Sequence, residues 1–196
     1  MRGVKRALTA LGLTVALVAA GATSTQAAPL TKPSGRLFEA IVAHEVGHCL
    51  GYWGHPGGTT SIMRSTLLPW MISSGAHGYT PTRADLADIH ASRANYVSGE
   101  RATARVPYPF VSDHVPVYNT TGMASAFTAA RRWDPYTSVS IVSVSREPSS
   151  GITIKWNPKL AGSGRAAQAV VNRWHWNGKH WQVADCTVEI STQVVR

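Results

Sequence analysis

The 196-residue sequence lacks three features that would each define a class of protein. No segment repeats, so a repeat architecture is not indicated. No run of lysine and arginine stands out, so the charge pattern predicts no nucleic-acid site, although 19 basic residues outnumber 10 acidic ones. No apolar run comfortably spans a membrane, which needs roughly 20 residues. The apolar fraction of 44% is ordinary for a globular chain, and the length predicts a single domain with one core.

Residues 1–27 have the pattern of a secretory leader. A basic start precedes an uncharged apolar stretch at 7–22, and Thr25-Gln26-Ala27 provides a small-x-small cleavage site. We expect this leader to be removed, leaving a secreted chain without a membrane anchor. Three of the 19 basic residues and no acidic ones lie in the leader, so the net charge falls from +9 to +6. A basic exported protein suits anionic polymers or acidic substrates, but such a charge is also common without functional reason.

Cysteine is scarce, with only Cys49 and Cys186 present. Export permits a disulfide, and an even count without a leftover thiol agrees with one. The alternative is a pair of buried free thiols.

One stretch of the chain, residues 44–63, concentrates residues that can bind a metal. His44 and His48 are four residues apart, so on a helix both imidazoles lie on one face and can reach a single Zn²⁺. Glu45 supplies a carboxylate beside the first histidine, and Gly51 can end the helix in a left-handed conformation. His55 offers a third nitrogen. The alternative for two helical histidines is a polar patch or core residues with satisfied hydrogen bonds.

This stretch resembles the signature of the metzincin zinc proteases, His-Glu-x-x-His-x-x-Gly-x-x-His followed by a Met-turn. The segment Ser61-Ile62-Met63-Arg64 looks like that turn, at a distance typical of the matrixin-like branch. The resemblance implies that Met63 forms a floor beneath the metal and that Glu45 acts on the water there.

The chain departs from the signature at one place. Three residues, Tyr52, Trp53 and Gly54, separate Gly51 from the third histidine, where the family has two. Gly54 therefore stands where the ligand is expected, and His55 comes one place later. Because glycine accepts positive φ, Gly51 or Gly54 can absorb a bulge that returns His55 to the metal.

The zinc helix is predicted to begin at Ser34, with Leu37, Ile41, His44 and His48 along one stripe. Its second apolar side, Val42, Val46 and Cys49, needs a partner layer. A further helix is predicted to begin at Thr80-Pro81, and its pattern looks like the final helix of matrixin-type domains. Together these elements occupy residues 28–97, and a polar linker follows at 98–106.

Residues 107–196 change to strands. A strand ends near Asn119, a short helix runs to Trp133, and strands are predicted at 139–144, 152–156, 169–176 and 180–190. The last two are joined at Asn177-Gly178, which favours a type I′ hairpin. This half resembles the sheet that precedes the zinc helix in metzincins.

The order of the two halves is therefore reversed relative to the family. We predict an α+β fold in which a twisted, mostly parallel sheet packs on the zinc helix, as in a circularly permuted metzincin with the linker joining the old ends. In that arrangement Cys49 and Cys186 would link the two halves.

The alternative is that residues 107–196 form a separate accessory module. Trp174, Trp176 and Trp181 could then form an aromatic strip for polysaccharide, although core and hairpin packing is the usual role of such residues.

The resulting functional expectation is a monomeric secreted zinc endopeptidase acting on proteins or peptides. His44, His48 and His55 would hold Zn²⁺, and Glu45 would be the general base. Substrate would join an edge strand near Ala169 to Trp174. Two alternatives stay open: a catalytically inactive binding protein whose C-terminal half recognises polysaccharide or protein, and a rearranged remnant that folds poorly.

Overall fold

The computed structural model describes residues 13–16, 31–33, 35–52, 62–63, 110–137, 139–179 and 181–193. Within these ranges the elements are β1 (Leu13–Ala16), α1 (Gly35–Cys49), β2 (His114–Asn119), α2 (Ser125–Ala130), β3 (Ser140–Val144), β4 (Gly151–Asn157), β5 (Arg165–Trp176) and β6 (Trp181–Ser191). Two 3₁₀ segments, Arg131–Tyr136 and Pro158–Leu160, follow α2 and β4. His55, the predicted helix after Thr80 and the linker at 98–106 lie outside the described residues.

The strands form one sheet in the order β1-β5-β6-β4-β2-β3. From β6 to β3 every neighbouring pair is parallel, whereas β5 is antiparallel to β6 and β1 is antiparallel to β5. The predicted α+β class with a mostly parallel sheet is therefore confirmed. Among the described residues from 110 to 193, a strand is followed by α2 and then by four further strands.

Helix α1 is the element around which the core is assembled. From Ala40 to Cys49 every side chain is buried, although α1 contains two histidines and a glutamate in that interval. The helix contacts α2, β5 and β6, so it is covered by both the second helix and the sheet. The predicted partner layer for its second apolar side is thus provided by the C-terminal half, because a helix apolar on two sides must be buried on both.

A disulfide joins the two halves of the chain. Cys49 at the end of α1 is bonded to Cys186 in β6, with the Cα atoms 5.7 Å apart. The alternative of two free thiols is excluded within this structure. A second link is the ion pair between Glu39 of α1 and Arg132, 2.6 Å apart and about one-fifth exposed on each side.

The β5–β6 hairpin differs from the predicted type I′ turn. Trp176 pairs with Trp181, which leaves four residues in the loop instead of two. A type I′ turn needs positive φ at both central residues, but only Gly178 adopts it, with φ 93°. Asn177 instead accepts a hydrogen bond from the Lys179 amide through its side chain, which stabilises a wider loop.

The three tryptophans of this hairpin are in different environments. Trp174 packs against the core, as expected, whereas Trp176 and Trp181 are 49% and 40% exposed. Their rings contact each other, with centroids 5.5 Å apart and an interplanar angle of 54°. Core packing therefore holds for Trp174 alone, and hairpin packing describes the other two.

No helix among the described residues is long and apolar enough to cross a membrane.

Candidate metal centre

The centre lies at the C-terminal end of α1, where the helix stops with a hydrogen-bonded cap. The amide of Gly51 donates to the carbonyl of His48, and the amide of Tyr52 donates to the carbonyl of Gly47, both at 3.0 Å. Gly51 has φ 103°, the left-handed conformation that this pair of bonds requires. The predicted role of Gly51 as the residue that ends the helix is confirmed. The chain leaves the helix immediately after both histidines.

His44 and His48 bring their rings together within the core. Both residues are essentially buried, and the ring centroids are 4.8 Å apart at 85°. The two Nε2 atoms are 3.1 Å apart. The helical spacing that predicted a shared face has therefore placed the same nitrogen of each ring at the same point.

The backbone fixes which nitrogens carry protons. His44 Nδ1 lies 2.7 Å from the carbonyl oxygen of Ile62, and His48 Nδ1 lies 2.6 Å from that of Tyr52. A carbonyl oxygen only accepts, so each Nδ1 donates its proton. In the neutral imidazoles both Nε2 lone pairs then face each other, an arrangement that a shared cation would stabilise. Backbone carbonyls on the second nitrogen are also the usual support of metal-binding histidines.

These residues fit zinc by chemistry and by spacing. Imidazole is a preferred zinc ligand, and two nitrogens bound tetrahedrally at 2.0–2.1 Å lie about 3.4 Å apart, close to the 3.1 Å between the Nε2 atoms. Over the residues that the structure describes, no group of three or more His, Cys, Asp or Glu side chains is assembled. Only two of the three predicted ligands fall within those residues.

Glu45 is buried beside the two histidines in sequence and is 2% exposed. Burial raises the pKa of Glu45 from 4.5 to about 8, and a hydrogen bond from the backbone amide of Ala169 in β5 opposes that rise. Its Oε2 atom has no hydrogen-bond partner. A buried polar atom without a partner is costly to the folded state.

Met63 lies beneath α1. It is fully buried, and a Cβ built on Gly47 would come within 2.5 Å of the Met63 Sδ atom and 2.6 Å of Trp133 Cζ2. Trp133 is held in place because its Nε1 donates to the carbonyl of Ala43 at 2.8 Å. The structure thus places Met63 directly under the glycine between the two histidines, as a packing residue.

The sequence did not reveal every group in this centre. Ala169 and the carbonyls of Tyr52 and Ile62 act through the backbone, which leaves no residue-type signal. Gly47 was visible only as a variable position of the motif, although a Cβ there would clash with Met63 and Trp133. By contrast, Trp133 is a large aromatic residue at the end of the predicted short helix, and it is fully buried.

Comparisons with family profiles, with curated proteins and with solved structures find no match to this chain.

Proposed function

We propose that the chain is a secreted zinc-dependent endopeptidase, built as a circularly permuted metzincin. The observation that carries the proposal is the convergence of the His44 and His48 Nε2 atoms at 3.1 Å, with each Nδ1 turned to a backbone carbonyl. Two buried imidazoles oriented in this way are suited to share a metal ion, and the adjacent Glu45 has a carboxylate oxygen without a partner.

The fold supports the permutation. Residues 114–191 form a sheet and a short helix that cover α1, and the disulfide to Cys186 fixes α1 against β6. A zinc helix that comes first in the chain is thereby covered by a layer that comes later. That is the spatial relation expected if a catalytic domain had been opened in one loop and rejoined elsewhere.

In the proposed site, His44, His48 and His55 would hold the zinc. When bound, zinc would acidify a water molecule and polarise the scissile carbonyl. Glu45 would be the general base that accepts a proton from the attacking water and returns it to the leaving amine. Burial of Glu45 and both histidines keeps bulk water away from the ligands. The edge of β5 at Ala169, whose amide reaches Glu45, positions an extended peptide beside the carboxylate.

The decisive test is Glu45→Gln, with Glu39→Gln as the matched control on the same helix. We expect Glu45→Gln to keep one zinc per chain while chelator-sensitive casein hydrolysis falls by roughly 10²–10⁴-fold, the range for loss of a general base. Glu39 forms an ion pair with Arg132 and is separated from the two histidines in the sequence. Glu39→Gln should therefore retain both zinc binding and hydrolysis. Undiminished hydrolysis in Glu45→Gln would refute the mechanism.

The third ligand needs its own measurement. His55→Ala should weaken zinc binding sharply, because three protein ligands hold catalytic zinc and two hold it poorly. Zinc titration of this variant against the parent chain decides the matter. Equal affinity in both chains would remove His55 from the ligand set.

A second candidate is a catalytically inactive binding protein, and the exposed pair Trp176 and Trp181 favours it. Exposed aromatic rings at a hairpin tip can stack on sugar rings. Zinc stoichiometry together with casein hydrolysis separates the two functions. Chains that bind polysaccharide through these tryptophans but hydrolyse nothing would favour the binding protein.

A further inference from the structure

The predicted leader contributes a strand to the sheet. Strand β1 (Leu13–Ala16) pairs antiparallel with the outer edge of β5, with Leu13 opposite Ala169, Thr14 opposite Gln168 and Ala16 opposite Arg165. The inner edge of β5 is already paired with β6. In the sheet as described, β1 therefore covers the edge of β5 that would otherwise be exposed.

This edge adjoins the candidate centre. Ala169 is the residue whose backbone amide donates to Glu45, and Leu13 is its partner across the strand pair. An extended backbone at Leu13–Thr14 thus runs past the residue that contacts the general base. Any peptide that adds to β5 at the same register needs the same backbone groups of β5, since a strand edge pairs with one strand at a time.

We propose that the leader segment Leu13–Ala16 acts as an internal competitor that blocks the β5 edge until the leader is removed. This inference rests on the proposed function for its consequence, although the pairing of β1 with β5 does not. One cleavage after Ala27 removes the whole of β1 and leaves the β5 edge open. Export and exposure of the β5 edge would then occur in the same step.

Tethering makes a short strand an effective competitor. A segment in the same chain acts at an effective concentration in the millimolar range when the connection is flexible and of suitable length. A free peptide that binds the same edge with similar main-chain hydrogen bonds displaces the tethered segment only when the peptide concentration exceeds this effective concentration. Substrate peptides would therefore be excluded from the uncleaved chain at ordinary concentrations.

The pairing can be tested without any reference to zinc or catalysis. In the full chain refolded in vitro, T14C combined with Q168C should form a disulfide on mild oxidation, because directly opposed residues of antiparallel strands have Cβ atoms about 4.5–5.5 Å apart. T14C with N172C is the matched control, four residues further along β5 and about 13 Å away. Equal cross-linking in both pairs, or none in either, would overturn the pairing.

The blocking is tested by peptide binding. The probe is a fluorescein-labelled peptide of residues 12–17, titrated into full chains carrying Glu45→Gln so that it is not consumed. Because successive amides of a strand point to opposite sides, replacing both Leu13 and Thr14 by proline removes whichever of the two amides faces β5. This chain should therefore bind the probe at least tenfold more tightly than the chain with the native leader. Replacing Ala19 and Ala20 by proline, outside β1, should not alter binding. Equal affinity in all three chains would overturn the proposal.

Casein hydrolysis by the corresponding chains with native Glu45 separates this inference from the proposed function. We expect the chain with proline at positions 13 and 14 to hydrolyse casein at least tenfold faster than the native chain. If probe binding differs as described but no chain hydrolyses casein, the internal competitor stands and the endopeptidase proposal fails. If all chains hydrolyse casein equally, the internal competitor fails and the endopeptidase proposal stands.

Discussion

Gly47 is the residue at which the packing around the candidate centre leaves least room. It lies between His44 and His48 on α1, with Met63 on one side and the Trp133 ring on the other. Both neighbours are fully buried, so neither can move into solvent to admit a larger side chain. The glycine is required by close approach rather than by an unusual backbone conformation.

Gly47→Ala should therefore destabilise the fold despite the higher helix propensity of alanine. Overpacking costs about 1–3 kcal/mol and the propensity gain offsets up to about 1 kcal/mol, so we expect a net loss of roughly 1–2 kcal/mol. Urea unfolding of the two chains measures it. Adding Met63→Ala should cost less in the Gly47→Ala background than in the parent, since the clash with Sδ is then absent. An unchanged or raised unfolding midpoint for Gly47→Ala would contradict this account.

Glu189 is a residue whose neighbours lower the pKa of its carboxyl group. Burial alone would raise its pKa, but hydrogen bonds from Gln168, Asn157 and Lys155, together with the Lys155 charge, outweigh burial and lower the pKa below 4.5. The carboxylate thus ties β4, β5 and β6 together on one surface of the sheet.

A pH dependence follows from the lowered pKa of Glu189. A group with a depressed folded-state pKa contributes stability above its unfolded pKa and loses it as the pH falls through the folded value. The difference in unfolding free energy between the parent chain and Glu189→Gln should be present at pH 7 and shrink below about pH 4.5. Lys155→Met should reduce that difference. A difference independent of pH would show that the charge of Glu189 plays no part.

Sequence could identify His44, Glu45 and His48 because their chemistry resides in side chains at helical spacing. The same reasoning could not find Ala169, since the group that reaches Glu45 is a backbone amide from a strand more than a hundred residues away. Nor could it establish that Ile62 and Tyr52 orient the imidazoles. Those contacts depend on how the chain returns after Gly51, which no residue type encodes.

Helix α1 depends on the C-terminal half more than an ordinary amphipathic helix does. Every side chain from Ala40 to Cys49 is buried, so this part of the helix has no solvent-facing side. The helix contacts α2, β5 and β6. The disulfide from Cys49 to Cys186 adds a covalent connection across 137 positions of sequence. The helix is therefore expected to unfold together with the sheet.

Replacing both Cys49 and Cys186 by alanine should lower stability by about 2–4 kcal/mol, because the link restricts the unfolded chain over a long loop. Denaturant unfolding of this variant should match that of the parent chain treated with reductant. Peptide mapping without reductant supplies the control for the native link. Detection of both cysteines as free thiols in the oxidised parent chain would contradict the prediction.

The strands were predicted with uneven success for physical reasons. Period-two alternation located β3 and β4 to within a residue, although β3 is the edge strand beside β2 and β4 lies between β6 and β2. Strand β5 begins at Arg165, four residues before its predicted start. Residues 165–168 belong to the strand because they pair with β1 and β6, whereas their own sequence does not alternate between apolar and polar residues. The hairpin loop was mispredicted because the pairing of Trp176 with Trp181 closes the ladder before Asn177 can enter a tight turn.

The sheet order is the feature of the entire fold that local sequence patterns could not provide. Strands β6 and β4 are parallel neighbours although β5 lies between them in the chain, and β2 lies between β3 and β4. This strand order depends on which apolar faces of the strands cover α1 and α2. The sequence predicted a twisted, mostly parallel sheet but not the order of its strands.

The proposed permutation can be tested by reversing it. A chain of residues 107–193 joined by a glycine-serine linker to residues 34–97 should unfold cooperatively, form the Cys49–Cys186 disulfide and bind zinc with the stoichiometry of the parent. Permutation is tolerated where chain ends fall outside packed elements. A matched chain opened between Thr153 and Ile154, within the parallel pairing of β4 with β6, should fail in each respect. Free thiols and non-cooperative unfolding in the first chain would count against a permuted single domain.

The Cys49–Cys186 link also changes what a backbone break would mean for this protein. The bond closes a ring that contains α2, most of the sheet and the stretch that follows α1. One peptide bond cut anywhere inside that ring would give two chains that remain one covalent molecule. The two fragments would keep their relative positions, as the heavy and light chains of a processed enzyme do, and only a reductant would separate them.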